Sequence, residues 1–158
     1  MKIRNYRYTD AIEIAMLFHD AVHAIPELFY SASELEAWAP TPPDFSHWES
    51  RLATKQPFVA TDRHKIVGFI ELESNGHIDC LYVHPQHQRQ GVACNLLNFL
   101  VDAARSKGID NLHVEASKVA MSFFKQHGFE LLSENNVSLR GELLTNYNMQ
   151  RVISLTNR

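Results

Sequence analysis

Two short stretches of this chain carry residues whose types and spacing could do chemistry. The first is Gln88-Arg89-Gln90-Gly91-Val92-Ala93, which leaves a strand-like run and enters a helical pattern. A loop of this kind presents backbone N–H groups that have no carbonyl partner, and the helix dipole adds partial positive charge at the same end. Small residues at Gly91 and Ala93 let a ligand approach the main chain, and Arg89 adds a full charge, so the stretch reads as a phosphate seat. The second is His77-Ile78-Asp79. In a strand, residues two apart share a face at roughly 7 Å spacing, so His77 and Asp79 point the same way. An aspartate there can hold the imidazole in one tautomer or bind a cationic substrate.

The elements that must position these groups follow from periodicity and turn signals. Residues Lys2 to Arg7 alternate as a first strand. Thr9 is expected to cap a helix starting near Asp10, with Ile12, Ala15, Met16, Leu17 and Val22 as its buried stripe. A helix from about Tyr30 to Trp38 is capped by Ser31 or Ser33, a Pro-rich segment follows, and a short helix covers Ser46 to Ala53. Phe58–Thr61 and Lys65–Glu73 read as strands. Asn75-Gly76, a strong hairpin signal, pairs the second of them antiparallel with 77–83. Apolar positions from Ala93 to Ala104 keep helical spacing, and Gly108 stops that helix. Asn111–Glu115 is a strand, Ser117–His127 a helix, and the rest two strands turning at Arg140-Gly141. The helix after Gly91 must cross back, which lays strand 111–115 parallel to strand 77–83. The fold class is therefore α/β: a mixed, mostly antiparallel sheet with one parallel pair and helices on both faces.

The totals set bounds on function. A chain of 158 residues with 45% hydrophobic and 21% charged residues is expected to be a single domain, 1–158, with a substantial core. A net charge of −3 without a basic face gives no reason to expect nucleic acid. No apolar run approaches the roughly 20 residues of a membrane helix, and the N-terminus lacks the apolar core of a secretory signal. Cys80 and Cys94 read as packed thiols, so a cytoplasmic location is expected. His19 and His23 stand at i and i+4 on a helix, as in zinc proteases. Asp20 replaces the glutamate such a site uses as base and no third ligand is evident, so no metal is expected.

Gln88-x-x-Gly91-x-Ala93 after Leu81-Tyr82-Val83-x-Pro85 resembles the acetyl-coenzyme A motif of the GCN5-related N-acetyltransferase (GNAT) superfamily. Residues 116–129, with Ala120, Phe123, Phe124 and a closing Gly128-Phe129, resemble a later element of the same family. The segment around Tyr30 and Ala37-Trp38-Ala39-Pro40 resembles a bacterial subgroup of it. The resemblance implies an acetyl-CoA-dependent N-acetyltransferase in which the parallel strands splay to hold the pantetheine arm. It assigns Leu81, Tyr82 and Val83 (through main chain), Gln88, Arg89, Gln90, Gly91, Val92, Ala93, Ser117 and Phe124 to the cosubstrate. Asp79 and His77 become candidates for the base, with Glu71 and Glu115 in reserve. Tyr30, Trp38 and Trp48 come from the segment that covers the acceptor. The implied reaction is direct attack by a primary amine of a small molecule or peptide on acetyl-CoA.

One departure matters. Many family members have a tyrosine where this chain has Phe124, and its phenol protonates the departing thiolate. Ser122, Tyr82, Tyr147 or a water can take its place, or the thiolate can leave unassisted if its pKa is low enough. The missing phenol also motivates a second reading, an acyl-CoA-binding sensor or partner-binding module with little catalysis. The acceptor, the acyl chain and the possibility of a homodimer through the C-terminal strands stay open.

Overall fold

The computed structural model describes residues 1–156. One seven-stranded sheet runs in the order β1-β2-β3-β4-β5-β7-β6. Its strands are β1 (Lys2–Asn5), β2 (Phe58–Asp62), β3 (Lys65–Leu72), β4 (His77–Val83), β5 (Asn111–Ser117), β6 (Glu130–Leu139) and β7 (Glu142–Val152). Every neighbouring pair is antiparallel except β4 and β5. The helices are α1 (Ala11–His23), α2 (Ala32–Trp38), α3 (Phe45–Lys55), α4 (Val92–Ser106) and α5 (Met121–Gln126).

The sheet is covered on both faces, which is why β3 reads as a nearly continuous apolar run. Val67 and Ile70 pack with Leu96, Leu97 and Leu100 of α4 on one face. Val59, Ile66 and Phe69 pack with Ile14 of α1 and with Trp48 and Leu52 of α3 on the other. A smaller cluster of Val22, Tyr30, Leu35, Ala39 and Leu144 fastens α2 to β7. Ser31 caps α2 by accepting from Glu34 N–H while Glu34 accepts from Ser31 N–H, a reciprocal capping box.

Gly76 sets the position of β5 as well as the β3–β4 turn. Its φ of +91° suits the turn, and a Cβ there would lie 2.0 Å from the carbonyl oxygen of Asn111. The same glycine accepts from His113 N–H at 3.1 Å, so the turn fixes where β5 begins beside β4.

Several boundaries differ from the sequence-based expectation. The first strand stops at Asn5. Thr9 does not cap α1; a short 3-10 turn intervenes, and the Asp10 carboxylate accepts from Arg7 N–H and from both ends of the Arg4 guanidinium. The buried stripe of α1 is Ala11, Ile14, Ala15, Leu17, Ala21 and Val22, while Ile12 and Met16 face solvent. The i, i+3, i+4 series starts at Ala11, one residue away from the expected phase, and each residue turns the helix by about 100°. Asp44 caps α3 by accepting from His47 N–H, and the helix runs on to Lys55. The helix expected from Ser117 begins only at Met121. Ser117 pairs with Asn146 as the end of β5, and its hydroxyl accepts from Ala120 N–H at 3.1 Å, closing a local turn that delays the helix.

Candidate active site

The parallel pair β4–β5 is the origin of the site. Only His77↔His113 and Ile78↔Val114 are in register, and beyond them the strands separate. On the other side of β4 the register with β3 shifts: Ile78 pairs with Leu72 and Leu81 with Ile70. Asp79 and Cys80 thus stand opposite the single residue Glu71, the count of a β-bulge, which bends and twists the strand that carries it. The bend falls where β4 leaves β5, so main-chain groups past Ile78 face an open gap in place of a neighbouring strand.

That gap opens into two clefts. One, of about 600 Å³, runs between β4, the first turn of α4 and α5. Leu81, Tyr82, Val83, Gln88, Arg89, Gly91, Val92, Ala93, Ser117 and Phe124 line it; Gln90 stands outside and reaches back to the carbonyl of Gln86 at 3.5 Å. Gly91 has φ +81° with nothing within 4 Å of a Cβ position, and Arg89 is also left-handed at φ 60°. The first intrahelical bond of α4 runs from Asn95 N–H to the Gly91 carbonyl, so the amides of Val92, Ala93 and Cys94 remain for a ligand. A pyrophosphate fits such a start of a helix, and an extended amide arm fits the unpaired edge of β4. Phe124 reaches this cleft but is only 2% exposed, packed against Phe123 and Phe129.

The second cleft, of about 530 Å³, lies under α1, α2, α3 and the β6–β7 hairpin. Tyr30, Trp38 and Trp48 line it. Tyr30 donates to the carbonyl of Thr145 at 2.7 Å and accepts from Lys118 N–H at 3.0 Å. Trp38 donates from its indole to the Tyr82 hydroxyl at 3.2 Å. Trp38, Asp79, Tyr82, Glu115 and Ser117 line both clefts, so this group marks where the two spaces meet.

Around that meeting point the charges form a chain. Asp79 contacts Lys55 and Arg51, each at 2.9 Å. Burial raises its pKa, but the two cations outweigh burial and hold it below the usual aspartate value. Lys55 also reaches Glu73 at 3.2 Å, and Glu73 binds His77 Nδ1 while Glu115 meets Nε2 at 2.9 Å. Partial burial pulls His77 down, yet contacts with Glu73 and Glu115 raise its pKa overall. His77 and Asp79 do stand on one side of the sheet, but Lys55 and Glu73 lie between them, and His77 lines neither cleft.

Glu71, the residue opposite the bulge, is fully buried and binds Arg51. Burial raises its pKa, with Arg51 opposing. Arg51 and Lys55 were not among the residues singled out from the sequence; the one signal, a basic residue every fourth position along α3, is that of any solvated helix face. Of the replacements for the missing phenol, Tyr82 reaches the junction, whereas Ser122 and Tyr147 line neither cleft. Burial raises the Tyr82 pKa well above the ordinary value, which keeps the phenol protonated. The Nε2 atoms of His19 and His23 are taken up by Thr41 and by the carbonyl of Ala39.

The model of the acetyltransferase (GNAT) domain matches residues 29–151. The chain belongs to the GNAT acetyltransferase family. As a member it is an acetyl-CoA-dependent acetyltransferase. It is 35% identical over 150 residues to the protein described as uncharacterized N-acetyltransferase YafP of Escherichia coli (strain K12), covering 95% of each. It is similar to the crystal structure of a GCN5-related N-acetyltransferase from Rhodopseudomonas palustris, with a TM-score of 0.91, 33% identity and coverage of 96% and 95%. The PaiA N-acetyltransferase of Thermoplasma acidophilum, solved in complex with coenzyme A, shares the fold at a TM-score of 0.74 and 17% identity, over 96% of this chain and 98% of that one.

Proposed function

We propose that this acetyltransferase moves the acetyl group of acetyl-CoA to a primary amine of a small molecule or peptide, by direct attack while both substrates are bound. The observation that carries the reading is the meeting of two clefts at Trp38, Asp79, Tyr82, Glu115 and Ser117. One cleft has a helix start and an unpaired strand edge; the other is aromatic-walled with acidic groups at its inner end. Acetyl-CoA supplies an activated thioester at that junction.

The roles then divide by position. The amides of Val92, Ala93 and Cys94 and the main chain at Gln88–Gly91 seat the pyrophosphate, and Leu81–Val83 main chain pairs with the pantetheine amides. A main-chain N–H of the same strand stabilises charge on the acetyl oxygen as the amine attacks. Asp79, held ionised, draws the ammonium in and accepts its proton, and His77 supports this step through Glu115. As the C–N bond forms and the C–S bond breaks, the Tyr82 phenol gives its proton to the thiolate and regains one from water. Tyr30 and Trp38 wall the acceptor.

A cytoplasmic location and a homodimer belong to the same reading. Cys80 and Cys94 are free thiols. The outer strand β6 runs ten residues with Leu131, Leu132 and Val137 exposed; light scattering tests the dimer.

The deciding experiment is release of the coenzyme A thiol from acetyl-CoA with pooled polyamines, aminoglycosides, amino acids and peptide N-termini. Release dependent on one pool supports transfer and names the acceptor class. Tight acetyl-CoA binding with no release in any pool would replace this reading with the sensor.

A further inference from the structure

Two groups of metal-type ligands occur among the described residues: Glu71, Asp79 and Cys80, and His77, His113 and Glu115. They differ in one respect. The first already holds a cation, because one Arg51 nitrogen contacts all three side chains. The second has no such cation, since Lys55, the nearest cation of the charge chain, is spent on Glu73 and Asp79.

From this contrast we propose that His77, His113 and Glu115 form a binding site for a divalent transition-metal ion of the zinc class, against the sequence-based expectation of no metal. The parallel register places the two histidines side by side, with rings stacked at 5.1 Å. Glu115, two residues beyond His113 on β5, shares its face. The ligand atoms lie within 4.8 Å of one another, and Glu115 is exposed, so its carboxylate can swing the short distance needed to reach bonds of about 2.0–2.2 Å.

The orientation of His77 supports the assignment. Ligating histidines typically give their second ring N–H to a carboxylate, which fixes the tautomer. Glu73 does this at Nδ1, turning Nε2 toward Glu115. Neither ring nitrogen of His113 has a protein hydrogen-bond partner among the described residues, so a metal displaces nothing there. Two histidines and one carboxylate are a common donor set for zinc and leave one position for water.

The consequence for transfer rests on the proposed function; the binding itself does not. Glu115 lines both clefts, so a metal that captures its carboxylate withdraws it from the junction and slows turnover.

Zinc is titrated into the protein by calorimetry, and stoichiometry is checked by metal analysis after dialysis. The expected result is one zinc per chain, with affinity at least tenfold weaker in both His77→Ala and His113→Gln, and unchanged in His19→Ala. Circular dichroism establishes that each variant is folded. Absence of binding at 1:1, equal affinity in all variants, or loss only in His19→Ala overturns the site. In turnover assays, zinc inhibits the wild type, while His113→Gln keeps basal activity and resists zinc. Stoichiometric binding without inhibition overturns the regulatory consequence, and absence of any basal turnover counts against the proposed function instead.

Discussion

Asp79 sits between Lys55 and Arg51, and those two cations keep it ionised at neutral pH. This favours attraction of an ammonium over tight retention of a proton, so Asp79→Ala should lower kcat at least tenfold while coenzyme A affinity moves less than threefold. Steady-state kinetics with calorimetry checks this, and equal turnover would remove Asp79 from the chemistry. Tyr82→Phe removes the one phenol that lines both clefts; general acid catalysis is worth about 10²–10⁴-fold, and kcat should fall toward the lower end of that range. Arg51→Met leaves Glu71 buried without its cation, which costs about 3 kcal/mol by the measure of other broken buried pairs. Glu71 already has a raised pKa, and without the guanidinium it rises further. A carboxyl whose folded value lies above its unfolded one favours the folded state as pH falls, so urea unfolding should show the deficit at pH 7 shrinking toward pH 4–5. The face shared by His77 and Asp79 was legible in the sequence because strand alternation is local. The cations beside Asp79 were not: Arg51 and Lys55 meet it only once α3 has docked on the sheet.

At the scale of elements, the proposed phosphate seat depends on the start of α4. Gly91 faces open space at a left-handed φ, so an indole there fills the phosphate seat rather than the core. Gly91→Trp should abolish coenzyme A binding in calorimetry, with a left-handed strain of about 1–2 kcal/mol as its only cost to a melting curve. Unaltered binding would move the pyrophosphate elsewhere. This loop was readable because its signal is a few consecutive residues. The parallel strand pair followed from the crossover rule, and the family resemblance supplied the expectation that it splays. The β4 bulge was hidden, since nothing in Ile78-Asp79-Cys80-Leu81 distinguishes two residues opposite one from ordinary pairing. The late start of α5 was hidden for a related reason. Ser117 serves strand pairing and a side-chain turn together, and the strand partner, Asn146, lies far along the chain.

For the molecule as a whole, composition and order of elements led to the right architecture, and what escaped was how elements far apart in sequence share a space. The aromatic-walled cleft joins α1, α2, α3 and the last hairpin; Tyr30, by bonding both Thr145 and Lys118, ties the segment leading into α2 to β7 and to the turn after β5. The sheet itself is uneven. Strands β1–β4 and β5–β7 are each joined by ladders of four or more residue pairs, interrupted at bulges, yet two residue pairs join the halves. In amide hydrogen exchange the free protein should therefore behave as two units, with Asp79–Val83 and Val114–Ser117 giving up deuterium protection before the strands on either side. A pantetheine arm lying along β4 would act as a missing rung, so saturating coenzyme A should slow exchange on both lips of the gap together. A cosubstrate would then be mortar as well as reagent, making the rigidity of the enzyme follow the supply of coenzyme A around it.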